Sequence, residues 1–312
     1  LTLARYWLGQ KSIYWADTPR GWVFASEIKA LLALGTLERA LDLETLSHYM
    51  SLRYLPGHGT FFRGISKLPA AHLATVDAHG FRTSRLWSPR YLPKWAFGED
   101  EILDGLDEIL TQVVGEHLQS DVPLGAFLSG GIDSSLVVAY AARASSTPLR
   151  TFSIGVHDEA QSELPWARAV AERYRTQHFE RIVEPDLAAL APRMVETMEE
   201  PVDPFAAGVY AVSEAAAEHV TVCLGGDGGD ELFAGYDRYL GQGLAEWYAR
   251  VPGPLRRRVL RPLFGLIPES FGYKSLATKL RWLDRMSELR GFERYAESAA
   301  FLRFPHAMKA QL

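Results

Sequence analysis

Hydrophobic and polar positions along the chain change rhythm once, near residue 98. Before it, aromatic and aliphatic residues alternate over short stretches: Leu1, Leu3, Ile13, Tyr14, Trp15, Trp22, Val23 and Phe24 flank the turn Asp17-Thr18-Pro19-Arg20-Gly21. Alternation around a Pro/Gly turn predicts a β-meander over residues 1–25. Ser26 then reads as the cap of a short helix that Gly35 stops, and a second helix is expected over 42–51. Pro56, Gly57, Gly59, Gly64, Pro69, Gly80, Pro89, Pro93 and Gly98 break up residues 52–98 into strands and loops, with 71–78 as a hairpin arm and a boundary at 89–98.

After Gly98 the period becomes helical. Ile102, Leu103, Leu106, Ile109, Leu110, Val113, Val114 and Leu118 form one apolar stripe of a long helix. Apolar runs and amphipathic segments then take turns. Strands are predicted over 122–128, 149–156, 178–183 and 220–224. Helices are predicted over 133–144, 163–174, 186–198 and 209–218, with another opening at Glu231. Strands alternating with helices predict βαβ units, hence a parallel sheet with helices on both faces. From Gly241 the pattern is helical only, with a basic patch at Arg256-Arg257-Arg258.

Composition narrows the class. The chain has 312 residues and a formal net charge of −5, with 47% hydrophobic residues. Length over about 150 predicts about two domains. The balance excludes a basic nucleic-acid coat and a disordered chain. No apolar run reaches the ~18 residues of a membrane span. Cys223 is the sole cysteine, so no internal disulfide forms, and a cytoplasmic setting is the expectation. The nine histidines show no zinc-ligand spacing, and His178 on a strand reads as structural.

Two glycine-rich segments follow predicted strands. The first is Leu128-Ser129-Gly130-Gly131-Ile132-Asp133-Ser134-Ser135, which opens a helix. Paired glycines let backbone N–H groups approach an anion, and the helix start adds unpaired donors and a positive dipole end. Ser129, Ser134 and Ser135 add hydroxyls. The set suits a pyrophosphate, and it lacks the Gly-Lys-Ser/Thr ending of a Walker A loop. Asp133 beside a phosphate is either a helix N-cap or a ligand of a hard cation such as Mg2+. The second segment is Leu224-Gly225-Gly226-Asp227-Gly228-Gly229-Asp230-Glu231. The carboxyl ends of strands in an open parallel sheet share one crevice, so the two loops are expected to face each other. Asp133 and Asp230 would then hold one Mg2+ on the same phosphates.

Together these segments resemble the synthetase domain of glutamine-hydrolysing asparagine synthetases. Phe152-Ser153-Ile154-Gly155, Glu163 to Glu172, Thr176-Gln177-His178 and Glu200-Pro201-Val202-Asp203-Pro204 resemble further stretches of that family. Phe24-Ala25-Ser26-Glu27-Ile28-Lys29-Ala30-Leu31-Leu32 and Phe62-Arg63-Gly64-Ile65-Ser66-Lys67-Leu68-Pro69 resemble the tail of its glutaminase domain. The resemblance implies an α/β fold: a doubly wound parallel sheet of the PP-loop ATP pyrophosphatase type with an all-helical C-terminal part. Ahead of it stands the β-rich remnant of an N-terminal-nucleophile glutaminase domain. Residues 1–90 are then that remnant and its linker, and 91–312 an incomplete synthetase domain.

The resemblance also implies the chemistry. Ser129, Gly130, Gly131, Asp133, Ser134 and Ser135 would hold pyrophosphate, while Leu128, Ile154, Gly225 and Gly226 would contact adenosine. Asp133 and Asp230 would ligate Mg2+, and Asp227 matches the acidic position linked to acyl-adenylate formation. The expected reaction is ATP-dependent amidation of aspartate through β-aspartyl-AMP, releasing AMP and pyrophosphate. Nitrogen would come from glutamine in the full-length enzyme and not in this chain alone. The expected partners are aspartate, ATP and ammonia or glutamine, with no nucleic acid and no membrane, and a homodimer is compatible. A β-lactam-forming or peptide-cyclising relative, or an incomplete ATP-binding remnant, are the alternatives. Departures accompany the likeness: Tyr6-Trp7 and Lys11-Ser12 replace the usual Arg-Asp-Arg and Lys-Pro, and Gly225 stands where Ser is common. The start at Leu1 and the absence of a Pro-Phe-Leu-Asp segment lead us to expect a chain cut at both ends.

Overall fold

Leu124-Gly125-Ala126-Phe127 shows how the sequence builds the central sheet of this computed structural model, which describes residues 1–157, 162–184, 186–201, 206–268 and 275–300. Successive side chains of a strand point to opposite faces. Ala126 and Leu128 therefore enter one apolar cluster with Val114, Val138, Ala141, Ala167 and Ala171. Phe127 enters another, with Phe152, Phe179, Val212 and Ala216. Helices cover both faces, as the doubly wound reading requires.

The strands before this sheet are β1 (Thr2–Ala4), β2 (Tyr14–Thr18), β3 (Gly21–Ala25), β4 (Ser66–Lys67), β5 (His72–Asp77) and β6 (Gly80–Arg85). The sheet itself contains β7 (Leu124–Phe127), β8 (Arg150–Gly155), β9 (Gln177–Ile182) and β10 (Val222–Leu224). Its order is β10-β7-β8-β9, and every neighbouring pair is parallel. The helices linked to it are α3 (Glu99–His117), α4 (Ile132–Ala144), α5 (Leu164–Tyr174), α6 (Leu187–Met198) and α7 (Ala206–Ala217), after α1 (Ile28–Leu32) and α2 (Leu43–Leu52). Asp186 caps α6, accepting from the N–H groups of Ala188 and Ala189 at 3.0 and 3.1 Å. The expected helix and strand order of the α/β region is thus observed, with ends shifted by a few residues.

The N-terminal part departs from a single meander. β2 and β3 pair as expected, but β1 pairs with β5 and belongs to a different three-stranded sheet, β1-β5-β6. The two small sheets meet through Trp15, Trp22 and Phe81, whose ring centroids lie 4.2 Å (Trp15–Phe81) and 4.6 Å (Trp22–Phe81) apart. An aromatic partner distant in sequence cannot be read from local alternation. Ser26 does not cap α1: its N-cap position is Glu27, with no side-chain bond from that residue.

The chain divides into two compact units. One holds Leu1–Tyr49 and Tyr54–Gly226, and the other Met50–Arg53 with the described residues from Asp227 onward. The second unit is helical: α8 (Gly229–Phe233), α9 (Asp237–Ala249), α10 (Gly253–Leu255), a π-helical turn over Arg256–Leu260, α11 (Arg261–Gly265), α12 (Leu276–Glu288) and α13 (Gly291–Ala299). The basic run is not a fully solvated face. Arg256 donates to Val251 O at 3.0 Å and to Ser287 Oγ, and its guanidinium lies 5.6 Å from the Tyr248 ring centroid. Asp284, buried on α12, receives Arg261 Nε at 2.7 Å. Val202, Asp203 and Pro204, which the family resemblance includes, lie outside the described residues, as does His306 among the nine histidines. Among the described residues, no helix is long and apolar enough to cross a membrane.

Candidate functional site

The first glycine-rich segment is held at the C-terminal end of β7. Leu128 is buried, and its N–H donates to Phe152 O at 2.9 Å. Its carbonyl accepts from the buried Ser153 hydroxyl of β8. The chain then turns at Gly130, with φ +81°, a conformation that side-chain-bearing residues rarely adopt. A Cβ on Gly130 would also lie 2.5 Å from Trp166 Cβ and 2.6 Å from the Ala167 nitrogen. Only glycine lets the start of α5 come this close.

Hydroxyls brace the loop from inside. Ser129 Oγ and Ser134 Oγ are 2.9 Å apart, the Ser129 N–H donates to Ser134 Oγ, and the Gly131 N–H donates to Ser129 Oγ, both at 3.2 Å. Helix α4 begins with Gly131 as its N-cap residue, and no side chain caps it. Asp133 therefore sits in the first turn of α4 rather than at its N-cap, which removes one of the two roles its sequence position allowed. The first-turn N–H groups of a helix have no intrahelical acceptor, so an uncapped start is an anion-seeking surface. Ser135 Oγ is buried without a hydrogen-bond partner among the described residues. A buried hydroxyl in that state costs about 1–3 kcal/mol unless something satisfies it.

The second segment reaches this loop through Gly226. A Cβ there would lie 2.8 Å from the Ser134 nitrogen and 2.9 Å from both the carbonyl carbon and Cβ of Asp133. Parallel pairing of β10 with β7, with Leu224 opposite Ala126, brings the two strand ends level. Of the second segment, Gly226 thus lies against the first loop. Gly225 beside it is exposed. Ile154 lies one strand over, on β8, and a Cβ on Gly208 of α7 would be 3.5 Å from its Cδ1.

Asp227 and Asp230 belong to the helical unit. Gly228, at φ +92°, is the N-cap of α8, and Asp230 lies in its first turn. Asp230 folds over Gly235, whose N–H donates to the Asp230 carbonyl at 3.0 Å. The Tyr236 hydroxyl donates to Glu231 Oε1 at 2.8 Å, and that bond pushes the Tyr236 phenol up to about 12. Arg238 lies 4.7 Å from the Tyr236 ring centroid. Among the described residues, no group of three or more His, Cys, Asp and Glu side chains gathers as a metal cluster.

Other candidates resolve as structure. Cys223 is half-buried on β10, and burial pushes its thiol up to about 11, so it behaves as a small apolar residue. His178 Nδ1 lies 2.9 Å from the Thr151 hydroxyl, tying β9 to β8. Trp166, Ser153 and Gly208 were not assigned roles in the sequence. Each acts through a partner far along the chain, for which no local pattern exists.

The asparagine synthase family pattern matches residues 105–309, and the glutamine amidotransferase domain pattern matches residues 1–87. Asparagine synthetase [glutamine-hydrolyzing] 1 of Bacillus subtilis is 32% identical over 276 residues, covering 88% of this chain and 43% of that protein. Asparagine synthetase [glutamine-hydrolyzing] 3 of the same organism is 29% identical over 255 residues, covering 76% and 41%. Amidase chry2 of Gibberella zeae is 31% identical over 267 residues, covering 79% and 39%. The chain thus spans less than half the length of these relatives.

Proposed function

This chain belongs to the asparagine synthase family, and from that premise we propose that it binds ATP on the 128–135 loop and activates a carboxylate by adenylation. Residues 1–90 are the part of an amidotransferase domain this chain carries, and 91–312 the synthetase part. The amidated substrate is aspartate. Its side-chain carboxylate attacks the α-phosphorus of ATP, and the bond to the departing pyrophosphate breaks. Ammonia then attacks the acyl carbon of β-aspartyl-AMP, loses a proton, and expels AMP to leave asparagine. In the whole protein glutamine supplies the ammonia.

The observation that carries this reading is the packing of Gly226 on the first turn of α4, next to an uncapped helix start and the unpartnered Ser135 hydroxyl. Ser129, Gly130, Gly131, Ser134 and Ser135 hold the pyrophosphate, through backbone N–H groups and hydroxyls that offset the charge building on it. Leu128, Ile154, Gly225 and Gly226 contact adenosine. Mg2+ bound by Asp133 and Asp230 would neutralise phosphate charge. Asp227, at the head of the second loop's acidic run, serves the adenylation step. The test is pyrophosphate release by the 312-residue chain given MgATP, aspartate and ammonia, alongside calorimetric titration with MgATP. Release that requires aspartate supports the full reading. Failure to bind MgATP overturns it, and binding without release reduces it to nucleotide binding.

A further inference from the structure

Two adjacent acids at the end of α6 reach into the amidotransferase-type region, 130 and more residues away in sequence. Glu199 adopts φ +61°, a left-handed conformation unusual for a side-chain-bearing residue. In that conformation its carboxylate accepts the N–H groups of Ile28 and Lys29, the first two residues of α1. These amides have no acceptor within the helix, and Ile28 is fully buried. Glu200 extends the contact. Its Oε1 is buried, with Lys67 Nζ on β4 3.1 Å away. Both side chains are largely covered, at 20% and 14% exposure, so this pair is far less screened by water than a surface ion pair. The nearby Arg5 is committed elsewhere, donating to the carbonyls of Gly9, Lys11 and Leu68. Lys67 is thus the direct counter-ion.

The same segment is joined to the candidate site. Helix α6 packs on α7, and α7 packs on β8 beside Ile154, through Gly208. The chain from α7 continues into β10 and Gly226. One short stretch therefore touches α1 and β4 at one end and a helix lying on the nucleotide strand at the other.

We propose that Glu199 and Glu200 form a latch that joins the amidotransferase-type region to the synthetase-type region and carries a change in one to the other. The left-handed backbone at Glu199 ends α6, with its N–H donating to Val195 O at 2.7 Å, and its carboxylate is tied to α1. Losing either acid's partner frees the segment as a whole. For its response to nucleotide, the latch rests on the ATP reading above.

Amide hydrogen exchange of the 312-residue chain tests it, comparing the unaltered protein with Glu199→Ala and Lys67→Met. Glu199→Ala is expected to speed exchange at Ile28 and Lys29 by about tenfold or more, as loss of a bond to a charged acceptor implies. Lys67→Met removes no acceptor from α1, yet it is expected to speed the same two amides by loosening Glu199. MgATP is expected to change their exchange in the unaltered chain and not in Glu199→Ala. Equal exchange at Ile28 and Lys29 in the unaltered chain and in either variant overturns the latch. So does a response to MgATP that survives in Glu199→Ala. Exchange across 129–135 in the same samples reads nucleotide binding separately. No protection there counts against the ATP reading, and the two variants still decide the latch.

Discussion

Gly226 rests on Asp133: a methyl group at Gly226 would lie 2.9 Å from Asp133 Cβ and 2.8 Å from the Ser134 nitrogen. Both are closer than real Cβ contacts, and a backbone nitrogen at the start of a helix cannot swing aside. Gly226→Ala must therefore push the second loop off α4, at a cost of about 1–3 kcal/mol typical of overpacking. The expected result is at least a tenfold loss of MgATP affinity by calorimetry, with the circular dichroism spectrum of the folded chain kept. Unchanged affinity would separate the loop contact from nucleotide binding.

Two glycines of α9 offer a contrast away from the site. A Cβ on Gly241 would lie 2.8 Å from the Trp282 ring, whereas one on Gly243 would meet nothing within 4 Å. Alanine is favoured over glycine within a helix by about 1 kcal/mol. Gly243→Ala should raise the urea midpoint of the helical unit, and Gly241→Ala should lower it as the indole is displaced. Parallel shifts of the two variants would contradict the packing of α9 on α12.

How much of this could be read beforehand differs by element. The βαβ order was legible because each strand is a short apolar run and each helix an amphipathic one, and both signals are local. The turn from β7 into α4 was legible for the same reason: Gly130 and Gly131 stand between an apolar run and an amphipathic one. The placement of β1 was not, since its partner β5 lies seventy residues on and alternation does not say which strand pairs with which. Asp133 could be read two ways because capping and ligation favour the same residue type, and the observed N-cap at Gly131 bears on capping alone. Glu199 gave no signal at all, since a glutamate at a helix end is ordinary until its acceptor role toward Ile28 and Lys29 is seen.

Ser153 supports the site from the next strand. Its buried hydroxyl donates to the carbonyl of Leu128, itself buried at the mouth of the first loop. Ser153→Ala keeps the volume nearly constant but leaves that carbonyl without this donor, which costs about 1–3 kcal/mol. A fall of that size in unfolding free energy is expected from urea titration. Wild-type stability would show that another donor reaches Leu128 O.

His178 sets a pH dependence whose sign follows from its surroundings. Burial lowers its pKa first, and the neighbouring Glu180 carboxylate opposes this without cancelling it. An unfolded histidine takes up a proton near pH ~6.5. Below that pH the unfolded chain binds a proton that the folded chain resists, so the contribution of His178 is complete above it and is lost as pH falls. Glu180, held below its usual range mainly by Arg168, acts in the same direction but only in the carboxylate range, well below this window. His178→Asn keeps a neutral group able to face the Thr151 hydroxyl, which now lies 2.9 Å from Nδ1. Urea unfolding at about pH 7.5 and 5.5 should show a smaller difference between the two conditions for the variant than for the unaltered chain. An equal difference would mean that His178 is protonated in the folded protein as readily as in the unfolded one.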